Sequence, residues 1–131
     1  MKTLIVDDDF TNRMILQASL KNYGDVHIAV NGVEAVEATR MAIENGDNYN
    51  LICLDIMMPE MDGHSALRKI RELEEKHGIL LENGATVVMT TALSDPANLF
   101  NAFREQCDSY LVKPIDVRKL IDYLRQAKLI A

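Results

Sequence analysis

Short apolar, β-branched runs alternate along the chain with stretches whose apolar residues recur every three or four positions. That rhythm is the one expected of repeated strand–helix units around a parallel sheet. Five strands are predicted: Thr3 to Val6, Val26 to Val30, Leu51 to Leu54, Thr86 to Thr90 and Ser109 to Val112. Leu51-Ile52-Cys53-Leu54 and Val87-Val88-Met89 are unbroken apolar runs, the pattern of strands covered by helices on both faces, and are predicted to be central.

Five helices are predicted between and after these strands. In the first, Leu16, Leu20 and Tyr23 form one apolar stripe, and Gly24 ends it because glycine adopts left-handed backbone without a steric penalty. Val33, Val36, Arg40 and Ile43 mark a second helix, opened by Asn31-Gly32 and closed near Asn45-Gly46. A third runs from about Gly63 to Lys76, with Leu67, Ile70, Arg71 and Leu73 along it. Ser94 or Asp95 caps a fourth, Pro96 suits its first turn, and Leu99, Phe100 and Phe103 supply its apolar face. The last carries Val117, Leu120, Ile121 and Leu124 and is predicted to run almost to Ala131. A single domain over residues 1–131 is expected, without a linker or an internal repeat beyond the strand–helix rhythm.

Composition narrows the function more than the fold. Of 131 residues, 48% are hydrophobic and only 3 are Pro and 6 Gly, which suits one compact core. Fourteen Lys plus Arg against 20 Asp plus Glu give a net charge of −6, which argues against a nucleic-acid partner. Met1-Lys2 leads directly into Thr3-Leu4-Ile5-Val6 and three aspartates, and no long apolar run follows, so a cytoplasmic protein without membrane contact is expected. Cys53 in its apolar run and Cys107 beside Asp108 lack zinc or disulfide spacing and are read as reduced thiols.

In an open parallel sheet flanked by helices, ligands bind beyond the carboxyl ends of the strands. There the first strand ends in Asp7-Asp8-Asp9, the third in Asp55, the fourth in Thr90-Thr91-Ala92 and the fifth in Lys113-Pro114. Asp9, alone or with Asp8, serves equally well as the N-cap of the first helix. If the first and third strands are neighbours, however, Asp7, Asp8 and Asp55 converge, and two carboxylates about 4 Å apart repel by roughly 4 kcal/mol at an effective dielectric of about 20. A cation relieves that repulsion, and an all-oxygen donor set without nearby His or Cys points to Mg²⁺. Beside such an ion Asp55 becomes a nucleophile toward phosphorus, with the Thr91 hydroxyl and the Lys113 ammonium placed for the remaining phosphoryl oxygens.

The segments LIVDDD, LICLDIMMPEMDG, VVMTTA and YLVKP, in this order on the predicted strand ends, resemble the receiver domain of bacterial response regulators, and the likeness covers essentially the whole chain. The resemblance implies an α/β, flavodoxin-like, doubly wound fold: a five-stranded parallel sheet in the order 2-1-3-4-5 with five helices. It implies that Asp55 is the phosphoacceptor, that Asp7, Asp8, Asp55 and the backbone carbonyl of Met57 hold Mg²⁺, and that Asp8 is a more direct ligand than Asp7. Thr91 and Tyr110 then resemble the switch hydroxyl and switch aromatic, Lys113 the phosphate-contacting lysine, and Lys113-Pro114 a cis peptide. On phosphorylation Thr91 would move inward and Tyr110 would follow. The expected role is a stand-alone receiver in a two-component phosphorelay, taking its phosphoryl group from a histidine kinase or histidine phosphotransfer protein. It would signal to a downstream effector protein, as a monomer or weak homodimer, and would catalyse only its own phosphorylation and dephosphorylation.

The alternative is an aspartyl phosphatase of the haloacid-dehalogenase type, which shares the nucleophile and the metal. That family has a second aspartate two residues after the first, and position 57 is Met, which offers no general acid. Two features depart from the commonest receiver pattern. The stretch from Glu74 to Ala85 is long, so the third helix or its loop is expected to be extended. Met57 and Leu93 place apolar side chains beside the site, which predicts slow hydrolysis of the phosphorylated state. His27, His64 and His77 share no signature and are expected to be structural.

Overall fold

The computed structural model describes residues 1–92 and 107–131. Five strands, β1 (Thr3–Val6), β2 (Val26–Ala29), β3 (Leu51–Asp55), β4 (Thr86–Thr91) and β5 (Ser109–Val112), form one parallel sheet in the order β2-β1-β3-β4-β5. The described helices are α1 (Phe10–Leu20), α2 (Gly32–Glu44), α3 (Gly63–Lys76) and α4 (Val117–Gln126). The helix predicted from Ser94 or Asp95 through Phe103, and the flanking Leu93, lie outside the described residues.

Alternation along the interior strands builds two cores, one on each face of the sheet. Leu4, Val6, Ile52, Leu54, Val87 and Met89 point to the face covered by α2 and α3, where Ala35, Ala42, Leu67 and Ile70 meet them. Ile5, Leu51, Cys53 and Val88 point to the other, against Leu16 and Leu20 of α1 and Leu120 and Leu124 of α4. This two-sided burial is why β3 and β4 read as continuous apolar runs, and it makes the fold a doubly wound, flavodoxin-like α/β architecture. Burial pushes the Cys53 thiol up to about 12, which leaves it protonated and inert at neutral pH. Among the described residues no helix is long and apolar enough to cross a membrane.

The structure departs from the predicted pattern at several points: α1 ends at Leu20 with Tyr23 in a following 3₁₀ turn, and β3 and β4 each run one residue further, to Asp55 and Thr91. Periodicity assigns the inner face of α2 to Val33, Val36, Arg40 and Ile43, but the buried residues are Gly32, Ala35, Thr39 and Ala42, and Val33 stays 47% exposed. Small side chains at the inner positions let the helix lie close to its neighbours. A Cβ on Gly32 would stand 2.4 Å from the Met61 carbonyl oxygen, and the buried Thr39 hydroxyl is satisfied by donating to the Ala35 carbonyl at 2.8 Å. Strand β2 stops at Ala29 because the Val30 N–H is taken by Glu34 Oε1 at 3.1 Å, while Asn31 Oδ1 accepts from the Glu34 N–H at 2.8 Å. The arrangement is a capping box shifted by one residue: Asn31 caps the Glu34 N–H, and Glu34 reaches back to the N–H just before the N-cap.

Helix α4 stops at Gln126 rather than continuing toward Ala131. Lys128 takes a left-handed φ of 62°, its N–H donating to Arg125 O at 3.0 Å and that of Leu129 to Leu124 O at 3.0 Å. These two bonds are a Schellman termination with lysine where glycine is usual, so composition gave no stop signal. Helix α3 keeps its predicted bounds. The long segment after it turns at Gly78, passes through a 3₁₀ turn at Leu81–Asn83 and enters β4.

Candidate functional site

The register of β1 and β3 pairs Val6 with Leu54, so the next residue of each strand, Asp7 and Asp55, emerge side by side at the carboxyl edge. Asp7 is 1% exposed and Asp55 3% exposed, whereas Asp8 faces solvent. Asp7 Oδ1 accepts from the Asp9 N–H at 2.9 Å, and Asp9 Oδ1 accepts from the Asn12 N–H at 3.1 Å. Asp9 is therefore the N-cap of α1, and Asp8 is left for the site.

On the far side of β3, the β4–β5 pairing matches Thr91 with Val112, and the Lys113 N–H donates to the Thr91 carbonyl at 2.6 Å. That connection, with the cis Lys113–Pro114 peptide that follows, carries the lysine over the sheet edge. Its Nζ lies 3.2 Å from Asp55 Oδ1 and 3.3 Å from Asp7 Oδ2. The β3–α3 loop closes the floor: the Ile56 N–H donates to Thr90 O at 3.0 Å and the Gly63 N–H to Ile56 O at 2.8 Å. A Cβ on Gly63 would stand 2.2 Å from the Asp55 carbonyl oxygen, so only glycine lets α3 start this close to the site.

One carboxylate oxygen from each of Asp7, Asp8 and Asp55 lies within 4.8 Å of the others. Burial and the Asp7 charge raise the Asp55 carboxyl from its ordinary 3.8 to about 7, against the opposing pull of Lys113. Burial works to deprotonate Lys113, yet Asp55 and Asp7 overcome it and hold the ammonium above its usual value. Asp7 Oδ2 is buried and makes no hydrogen bond among the described residues; the ammonium at 3.3 Å is its ion-pair partner. Among the described residues, Lys113 pairs with Asp7 and Asp55, while Asp8 adds a third carboxylate to the cluster. An oxygen-only cluster with uncompensated negative charge fits a small hard cation such as Mg²⁺.

Of the residues selected from the sequence, the fold brings Asp7, Asp8, Asp55 and Lys113 together. Thr91 is buried at the end of β4, one residue beyond the Asp55–Thr90 pair. Met57 sits two positions past Asp55 with its side chain 62% exposed, and Tyr110 lies lower on β5, opposite Met89 and 40% exposed. His27 and His77 make local bonds, to the Tyr49 hydroxyl at 2.8 Å and the Leu73 carbonyl at 2.9 Å. Sequence reasoning passed over Arg13, whose Nη1 donates to the Asp7 backbone carbonyl at 2.9 Å. Nothing in its spacing sets it apart from a surface arginine.

Residues 3–125 match the response regulator receiver domain. The transcriptional regulatory protein SrrA of Staphylococcus aureus is 36% identical over 119 residues, covering 90% of this chain and 44% of that protein. Histidine kinase 3 of Arabidopsis thaliana is 32% identical over 134 residues, covering 91% of this chain and 12% of that protein. The chain therefore spans less than half the length of either relative. Among solved structures, the receiver domain of a Francisella response regulator is 29% identical, covers 95% of this chain and 93% of that one, and superposes with a TM-score of 0.70. The receiver domain of the histidine kinase CKI1 from Arabidopsis thaliana, solved with Mg²⁺ and BeF₃⁻, is 25% identical, covers 97% and 89%, and gives a TM-score of 0.80. With the strand order, the acidic cluster and the matched span in agreement, this chain belongs to the response regulator receiver domains of two-component signalling.

Proposed function

We propose that the chain is a phosphoacceptor switch in which Asp55 takes a phosphoryl group from a phosphohistidine on a histidine kinase or histidine phosphotransfer protein. The observation that carries this reading is the buried Asp55 carboxylate, held between Asp7 and Lys113 with an Asp8 oxygen in reach. Asp7, Asp8 and Asp55, with the Met57 backbone carbonyl, would hold Mg²⁺. When bound, the ion neutralises charge on the phosphoryl oxygens.

The chain's own residues do the rest. An Asp55 oxygen bonds to phosphorus as the P–N bond to the donor imidazole breaks, giving an aspartyl phosphate and a free histidine. Lys113, already 3.2 Å from Asp55, follows the new charge and pairs with a phosphoryl oxygen. The Thr91 hydroxyl, at the end of β4, would donate to another. Its inward shift would free space for Tyr110 and alter the surface of β5 and α4, where a downstream effector protein would bind. The protein turns over no outside substrate in this scheme and catalyses only its own phosphorylation and dephosphorylation. Support comes also from the CKI1 receiver structure, whose Mg²⁺ and BeF₃⁻ belong to a domain of the same fold.

The test is incubation with acetyl phosphate and Mg²⁺ followed by intact-protein mass spectrometry. A phosphoryl mass is expected on the wild type and none on Asp55→Ala. An unmodified wild type, or equal modification of both proteins, would remove Asp55 from the role.

A further inference from the structure

We propose that Arg13 is a positioning residue for Asp8, acting through the Asp7–Asp8 peptide, and so sets how tightly the site holds its cation. The inference rests on the metal-site reading above.

Asp8 has an exposed side chain, so its direction is inherited from the backbone on either side. On the far side Asp9 is fixed twice, by its N–H on Asp7 Oδ1 at 2.9 Å and by its Oδ1 on the Asn12 N–H at 3.1 Å. On the near side the Asp7 N–H is tied to Ala29 O at 3.2 Å, and the Asp7 carbonyl accepts from Arg13 Nη1 at 2.9 Å. That carbonyl belongs to the peptide plane entering Asp8. Rotating the plane would swing the Asp8 carboxylate away from Asp7 and Asp55, and the Arg13 bond opposes the rotation.

Arg13 is itself held. Its N–H donates to Asp9 O at 3.1 Å in the first turn of α1, and its guanidinium lies 5.7 Å from the centre of the Phe10 ring. Three consecutive aspartates stand nearby, yet among the described residues Arg13 pairs with none of their carboxylates; it grips a neutral carbonyl. The carboxylates are thereby left to the ion while the arginine acts on geometry.

The charge of Arg13 and its grip act in opposite directions on a cation, and this makes the idea testable by sign. Arg13→Met keeps most of the stem and removes both donor and charge. Were charge the whole effect, Mg²⁺ would bind more tightly to the variant. The positioning role predicts weaker binding, by about tenfold, the usual scale for losing a group that orients a metal ligand.

The experiment is calorimetric titration of Mg²⁺ into the full chain without phosphodonor, on wild type, Arg13→Met, Asp8→Asn and the double variant, with thermal melts alongside. The expected result is a roughly tenfold loss in Arg13→Met that shrinks below about twofold in the Asp8→Asn background, because the arginine acts through that aspartate. Unchanged or tighter binding in Arg13→Met, or an equal loss in both backgrounds, overturns the proposal. Should Arg13→Met melt too low to titrate, Arg13→Lys replaces it: a loss of affinity at retained charge supports positioning, and wild-type affinity overturns it. If Mg²⁺ binding to the wild type does not depend on Asp8, the metal-site reading fails and takes this inference with it, an outcome distinct from the others.

Discussion

Strand β4 runs between two buried acidic clusters that are solved in opposite ways. At its start, Glu74 is 4% exposed and fully matched: Oε1 meets Arg71 Nη1 at 2.7 Å, and Oε2 accepts from the Ala85 N–H at 2.7 Å. Arg71 also donates to the Ala85 carbonyl at 2.9 Å and to Asp108 Oδ2 at 3.3 Å, and Asp108 accepts from the Val87 N–H at 2.8 Å. At the far end of the strand, among the described residues, the Lys113 ammonium pairs with Asp7 and Asp55, and Asp8 brings a third carboxylate beside them. Both ends bury carboxylates, so burial by itself distinguishes nothing. What separates scaffold from site is whether the protein supplies every acceptor with a partner or leaves charge for a ligand to neutralise.

The largest effect expected from this contrast is at the matched end. Glu74→Ala removes the buried carboxylate paired with Arg71, leaving the guanidinium, among the described residues, with the Ala85 carbonyl and Asp108, and takes away the acceptor of the Ala85 N–H. It should cost about 3 kcal/mol in urea unfolding. The folded fraction should still accept phosphate from acetyl phosphate, since no site residue touches Glu74. A cost below about 1 kcal/mol would mean that water replaces the carboxylate freely and the cluster is not a clamp.

At the unmatched end the sign reverses. Asp55→Asn removes a charge that burial and Asp7 oppose, and should stabilise the metal-free protein at pH 8 by on the order of 2 kcal/mol. The pH dependence follows from the same shift. Because the folded-state value of Asp55 is raised from 3.8 to about 7, its stabilising contribution is complete below the unfolded value and disappears as pH rises through the folded one. Metal-free wild type should therefore lose stability between pH 4 and pH 8 more steeply than Asp55→Asn, and Mg²⁺ should restore it at pH 8. Parallel pH profiles for the two proteins would show that Asp55 ionises without penalty and needs no cation.

Much of this was legible in the sequence because the strand ends carry unusual chemistry. Asp7, Asp8, Asp55, Thr91 and Lys113 stand out where a parallel sheet puts its ligands, and a five-strand rhythm needs only local periodicity to be seen. The inner face of α2 was not legible: hydrophobicity favours Val33 and Ile43, while close packing selects Gly32, Ala35 and Ala42, a choice that depends on Met61 and α3 across the fold. The same holds for Glu74, which reads as one more charge in the long 74–85 stretch until Ala85 and Arg71 close on it. Arg13 is the extreme case, since a bond to a backbone carbonyl leaves no mark on residue type at either end. Contacts made by the backbone, or by small residues, are the ones that sequence pattern does not display.

The smallest effect tests whether the matched cluster is one unit or a core with an appendage. Asp108 has a side chain 44% exposed, and its contact with Arg71 is long and open to solvent, so the ionic part is worth little. What remains is its bond to the Val87 N–H at the start of β4, which extends the ladder where β5 has not yet begun. Asp108→Ala should cost about 1 kcal/mol, the scale of one lost hydrogen bond to a partly buried amide. Asp108→Asn keeps an acceptor and should be nearly neutral, with no change in salt dependence. If Asp108→Ala instead costs as much as Glu74→Ala, Arg71 transmits the loss and the three side chains act cooperatively, in which case the double variant with Glu74→Ala should be far less destabilised than the sum of the two.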